Sequence, residues 1–249
     1  MRADRSDTYT SGTQLLTLGG EVFARLKADI ITSRLPPGTK LRLEELRRTY
    51  GVGFSPLREA LSRLAENRLV VAVGHRGFRV PEASPQDIID VAMVRKQMEG
   101  FALRQAIRYG DDLWEAQAAD AGEKLAELQR SGKNFSESVW ESRHRAFHLA
   151  LIAACQSPCL LHLFEVLSDQ FDRYRRLSAK SRLPNAPRWL IHKEILDAAL
   201  ARDADKAVRL LENHITEAAR LIVVGLLARD DAAPARKRKV GAQRRRALS

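Results

Sequence analysis

Apolar positions recur at three and four along most of this chain, and at two over one short stretch near the N-terminus. The first spacing marks one buried face of a helix, and the second marks a half-buried strand. In Val52–Leu64, VGFSPLREALSRL, the residues Leu57, Ala60, Leu61 and Leu64 share one face, with Arg58 and Arg63 off it. Ser55 suits the N-cap, and Pro56 suits the first helical position, where its missing N–H would be unpaired anyway. Shortly after, GHRGFRV (Gly74–Val80) alternates around a glycine-rich tip, so Leu69–Val73 and Gly77–Val80 are expected to pair as a hairpin. Upstream, a helix is predicted over Gly20–Ser33, with Val22, Leu26, Ile30 and Ile31 on one face. LPPGTKL reads as a turn, and a second helix over Leu43–Tyr50 ends at Gly51, a natural C-cap. Helix, helix, turn, helix, hairpin is the order of a winged helix-turn-helix, predicted over 19–81 behind a flexible lead at 1–18.

Pro81–Ser84 is a linker, and Ser84-Pro85-Gln86-Asp87 combines a cap, a first-turn proline and an acid at the third position. Helices are predicted at about 85–109, 111–131, 136–155, 158–180, 187–201 and 204–229, and no strand-like alternation follows Val80. The predicted fold is therefore mostly α: an N-terminal winged helix-turn-helix followed by an all-helical, six-helix bundle over 82–230. The last residues, 231–249, are expected to be a disordered basic tail.

Composition allows a buried core, since 45% of residues are hydrophobic. No apolar run approaches the roughly 20 residues of a membrane helix, and the N-terminus lacks the apolar core of a signal peptide. With Cys155 and Cys159 as the only cysteines, the expectation is reduced thiols in a cytoplasmic protein. The net charge of +11 is uneven. Residues 21–82 hold 12 Lys/Arg against 7 Asp/Glu, and 230–249 hold 7 against 2, while 83–229 are nearly balanced at 21 against 20. A basic head on a neutral body is the distribution of a nucleic-acid binder.

Histidines carry the candidate chemistry of the body. His144 and His148 stand at i, i+4, so both leave one helix in the same direction, as two ligands of one metal must. His192 and His214 fall on the last two predicted helices. Core packing, or a polar pocket for an anion, also accounts for such residues. Arg95, placed in a helical bundle, needs an anionic partner: Glu99 one turn on, or the carboxylate of a ligand. Tyr174 continues the apolar row Leu160, Phe164, Leu167, Phe171; its hydroxyl is a candidate for the pocket and its ring for the core.

PPGTKL, YGV, SPLREALSRL, RLV and GHRGFRV together resemble the head of GntR-family bacterial transcription regulators, and the body resembles the FCD effector domain of the FadR subfamily. The resemblance spans about residues 20–225. It implies that Arg58 contacts DNA from the recognition helix, with Ser55 at its start and the wing tip His75-Arg76-Gly77 near the minor groove. A guanidinium at Arg58 can grip a guanine edge or hold a phosphate, while Lys40, Arg47 and Arg48 suit phosphate contacts or plain solvation. One departure is Val52-Gly53-Phe54, where many members have Val-Ser-Arg. The resemblance also implies a divalent transition metal, zinc first and nickel next, held by one Asp and three His. His148, His192 and His214 match the histidines, and His144 stands at the aspartate's place. Arg95 resembles the family's R-x-x-x-E, so that a dicarboxylate can meet the metal at one end and an arginine at the other. SPLREALSRLAENRLV, GHRGFRV and GDDLWEA further resemble the branch of repressors governing glutarate and 4-aminobutyrate catabolism.

The expected protein is thus a homodimeric, non-enzymatic repressor on an inverted-repeat double-stranded operator, modulated by a small organic acid. Two alternatives stand beside it. One is a metal-dependent hydrolase with an accessory DNA-binding head, with Glu141 or Glu194 as its acid. The other is a structural DNA binder resting on its basic tail.

Overall fold

The structure is a computed structural model that describes residues 17–74, 77–130, 136–178 and 188–246, with 129, 188, 189 and 230–246 as backbone alone. Two separate hydrophobic cores divide it. The first is formed by α1 (Leu18–Ile31), α2 (Leu43–Tyr50) and α3 (Phe54–Glu66) with the strands β1 (Lys40–Leu41), β2 (Val71–Ala72) and β3 (Phe78–Arg79). The second is formed by α4 (Pro85–Tyr109), α5 (Asp112–Arg130), α6 (Glu137–Ile152), α7 (Pro158–Ser178), α8 (Arg188–Leu200) and α9 (Ala204–Arg246). The mostly α architecture, a winged head ahead of a six-helix body, is the one expected.

In the head, Leu57, Leu61 and Leu64 of α3 are fully buried against α1, whose Val22, Leu26 and Ile30 face them. Each such side chain contributes roughly 1.5–3 kcal/mol of burial. Thr17 caps α1, its hydroxyl accepting from the Gly20 N–H at 3.1 Å, so the helix starts two residues earlier than expected. Ser55 is not the N-cap of α3. Gly53 is, and Ser55 lies exposed inside the first turn. Pro56 then occupies the third helical position, where the backbone N–H is also unpaired, so either register tolerates it.

The expected hairpin is part of a three-stranded sheet of order β1-β3-β2, with Lys40 of β1 and Val71 of β2 both opposite Arg79. β1 lies inside the segment read as a turn. Glycine serves the wing by conformation: Gly74 at φ 51° and Gly77 at φ 98° bracket the tip, where a side chain would have room but not an easy backbone. The tip residues His75 and Arg76 lie outside the described residues, as do residues 1–16 of the expected lead.

Within the body, α4 packs against α9, α7 and α6. The stretch expected to be a disordered tail at 231–249 continues α9 as helix to Arg246. Its Ala, Arg, Lys and Gln are among the better helix formers. The two cores meet where α1 lies along α7: Lys27 Nζ stands 2.9 Å from Asp169 Oδ2, and Gln170 Nε2 donates to the Asn67 carbonyl at 3.1 Å. Arg173 donates to the carbonyl of Pro81 in the linker. Among the described residues no helix is long and apolar enough to cross a membrane, and Cys155 and Cys159 are both free.

Candidate functional site

The buried face of α6 runs Glu141, His144, Phe147, His148, Leu151, steps of three, three, one and three that suit a helix turned into a core. α8 brings His192 beside the buried Ile195, and α9 brings His214 between Leu211 and Ile215. The four expected histidines therefore converge, with ligand-capable nitrogens all within 4.8 Å of one another. Nε2 of His144 and Nε2 of His148 are 3.2 Å apart. Two ligands at about 2.0–2.1 Å from one tetrahedral ion stand about 3.3 Å apart, so this pair fits a single transition metal with small adjustment elsewhere. Burial, then the neighbouring histidines and Arg175, pushes His144 well below the usual imidazole range; burial, then His214 and His192, does the same to His148. Both are neutral at pH 7, with a lone pair available to a metal. Four neutral nitrogens suit zinc, nickel, copper or iron and are poor for magnesium or calcium.

Cations ring one side of this cluster. Arg95 is buried, its Nε donating to Glu99 Oε1 at 2.5 Å, and its guanidinium lies 4.5 Å from the Phe171 ring centre. The expected internal partner, Glu99, is thus in place. The other Glu99 oxygen, Oε2, stands 3.9 Å from His148 Nδ1, and burial raises this carboxyl's pKa. Two residues not singled out in the sequence join them. Trp140 stacks on His144, ring centres 4.6 Å apart, and Arg175 lies 5.5 Å from the Trp140 ring centre. Trp140 had a signal, since it precedes His144 by one helical turn; Arg175 had none. On another side, a cavity of about 360 Å³ between α5, α6 and α8 reaches His192 and Phe147, with Arg130 and Lys193 among its lining.

Of the two roles open to Tyr174, pocket hydroxyl or core ring, the packing favours the core. It is buried in the core, and its hydroxyl donates to Asp87 in the first turn of α4, which, after burial itself, pushes its pKa up to about 12. Of the acids nominated for hydrolysis, Glu141 pairs with Arg176, and Glu194 is exposed.

A chain of ion pairs runs to the head from Arg175, which lies over the Trp140 ring stacked on His144. Arg175 Nη1 stands 2.9 Å from Asp172 Oδ1. Arg145 donates to Asp172 Oδ2 at 3.2 and 2.6 Å and to Asp169 Oδ1 at 2.7 Å. Asp169 in turn accepts from Lys27 of α1 at 2.9 Å. In the head, Phe54, Ser55 and Arg58 are exposed in the first turns of α3, and Lys40, Arg47 and Arg48 are exposed nearby in sequence on β1 and α2. Arg47 stands 3.5 Å from Glu44. Gly77 is half-buried at the base of the wing tip.

Residues 18–80 match the gntR family of bacterial regulatory proteins, and residues 90–217 match the FCD domain. The chain belongs to the GntR family. Its two matched segments coincide with the two cores, so the GntR head and the FCD body are separate folding layers of one regulator. Among GntR-type relatives, the transcriptional regulator BphR of Paraburkholderia xenovorans (strain LB400) is 40% identical over 201 residues, 78% of this chain and 80% of that protein. The transcriptional repressor GlaR of Escherichia coli (strain K12) is 36% identical over 197 residues, covering 76% of this chain and 89% of the repressor. A likeness of fold extends to E. coli McbR/YncC, with a TM-score of 0.69 at 21% identity, covering 84% of this chain and 98% of that one. These relatives give the hydrolase alternative no support. As a GntR regulator the chain is a DNA-binding protein of transcription control.

Proposed function

We propose that this regulator is a homodimeric repressor that holds an inverted-repeat operator through α3 and the wing, and releases it when a small organic acid binds in the body. The observation that carries the reading is the four-histidine cluster, buried at His144, His148 and His192, flanked by Arg95 and Arg175, with ion pairs running from Arg175 to α1 of the head. His144, His148, His192 and His214 would hold the metal, zinc first and nickel second. A bound divalent ion would supply a positive Lewis-acid centre for a carboxylate. With His144 at the place where the family usually has aspartate, no ligand carboxylate offsets that charge, which strengthens the pull on an anion. Arg95 is placed to take the second carboxylate of a dicarboxylate, in competition with Glu99. The resemblance of SPLREALSRLAENRLV, GHRGFRV and GDDLWEA to repressors governing glutarate and 4-aminobutyrate catabolism makes glutarate the first acid to test.

In the head, Arg58 reads base edges from the exposed face of α3, Ser55 meets the backbone beside it, and Lys40, Arg47 and Arg48 hold phosphates. His75, Arg76 and Gly77 approach the minor groove. The operator's two-fold symmetry asks for a two-fold protein. A surface for the second copy lies on α4, where Met93, Val94 and Phe101 fall within one face and are 43–58% exposed. Such a ridge of large apolar side chains is a cost in water and a gain in an interface.

The test is fluorescence anisotropy of the protein on its own promoter DNA and on random DNA, at about 150 mM salt, where non-specific attraction is screened. Specific binding is expected, weakened by glutarate or a related dicarboxylate when zinc is present and unaffected by it after chelation. Equal affinity for the two DNAs overturns the regulator reading; an effector response untouched by chelator overturns the metal site.

A further inference from the structure

We infer that Phe54 is a specificity-determining residue that reads the C5-methyl group of a thymine in each operator half-site. The inference rests on the proposed insertion of α3 in the major groove. Phe54 is the first residue of that helix and is 40% exposed. It takes no part in the head core, whose partly buried members include Phe23, Val52 and Phe78 instead. Exposure of one aromatic is unremarkable by itself. Its surroundings are what single it out. Phe54 and Arg58 lie one turn apart at the N-terminal end of α3, where Phe54 continues the row of Leu57 and Leu61 beyond the core and so stays exposed, and Gly53 before them adds no side chain. The Arg47 guanidinium carbon lies 5.5 Å from the ring centre, a cation–π contact that orients the ring and leaves a positive charge at its flank for a phosphate.

A benzyl group at the groove floor has no hydrogen bond to give or accept. Guanine presents two acceptors there, cytosine a donor, adenine one of each, and thymine an acceptor beside a methyl group. Thymine is therefore the one base that offers this contact an apolar group of its own.

Sites selected from a random DNA pool by the full chain, and by its Phe54→Ala and Phe54→Arg variants, identify the position that depends on residue 54. Deoxyuridine then replaces thymine there, removing the methyl group and nothing else. The expected result is a thymine enriched by the parent protein alone. Loss of its methyl weakens parent binding about fourfold per half-site, the equivalent of one buried methylene-sized group, and leaves the Ala variant unaffected. Because the deoxyuridine arm uses the unaltered protein, misfolding of a variant does not blunt it. A site selected alike by all three proteins, or parent affinity indifferent to the methyl, overturns the role of Phe54 while operator reading by α3 stands. A pool from which nothing is enriched overturns both.

Discussion

Arg58 and Arg48 carry the same charge on adjacent helices of the head, yet the chemistry asked of them differs. In the proposed complex Arg58, exposed near the start of α3, meets a base edge, and Arg48, exposed on α2, a phosphate. Arg58→Ala should lower affinity for the preferred site by about tenfold to a hundredfold, with much less loss on random DNA. Arg48→Ala should weaken both DNAs alike and reduce the slope of log affinity against log salt by about 1. Anisotropy titrations across a salt series separate the two; an unchanged specificity ratio in Arg58→Ala would remove it from readout. In the body, Glu141 makes a pH prediction. Burial raises its pKa from 4.5 to about 7 against the pull of Arg176 and Arg175. Between those values the folded protein keeps a proton that the unfolded chain releases, so stability from this group falls as pH climbs through that window. Glu141→Gln, which never ionises, should therefore gain on the parent protein from pH 5 to pH 8 in urea denaturation. An equal difference between the two proteins at both pH values refutes the buried carboxyl's role.

Elements were legible where their ends are marked. α2 and α4 have the expected bounds because Gly51 closes one and Ser84-Pro85 opens the other, the Ser84 hydroxyl accepting from the Asp87 N–H at 3.4 Å. α3 begins two residues before the expected first helical position because both Ser55-Pro56 and Gly53 are acceptable starts, and shifting between them leaves the leucine face unchanged. β1 was hidden because two residues hold no alternation to read, and its partner β3 comes far later in the chain. Close approach of helices was hidden as well. At Gly225 of α9, an added Cβ would stand 2.7 Å from Ser178 Cβ and 3.1 Å from its carbonyl oxygen, so α7 ends directly on this glycine. Helix propensity alone says that Gly225→Ala stabilises by about 1 kcal/mol. Overpacking against backbone costs about 1–3 kcal/mol and should win. A lower urea midpoint is expected, and a higher one would mean that the end of α7 yields.

At the scale of the molecule, the four histidines were readable because two share one helix turn and three match the family's histidines, with His144 at the place of its aspartate. The groups that connect them to the head were not: Arg175, Asp172, Arg145 and Asp169 are common charges whose partnership exists only once α6 and α7 pack. An open surface groove of about 280 Å³, lined by Lys27, Thr32, Arg145 and Asp169 among others, runs along the seam they cross. Lys27 is the last link, on α1 and partly exposed, and cutting there leaves the body's own ion pairs intact. Allosteric coupling of ordinary size changes affinity about 5- to 150-fold. Lys27→Ala should keep metal binding, effector binding and effector-free operator affinity within about twofold, while at least halving that coupling expressed as free energy. Reciprocity supplies an internal check: operator DNA must weaken effector binding by the same factor as effector weakens operator binding, in each protein separately. Calorimetric titration of the effector with and without operator measures this. An undiminished coupling in Lys27→Ala, with folding and operator affinity preserved, would exclude the ion-pair chain as the route and leave the α1–α7 packing itself to transmit the signal.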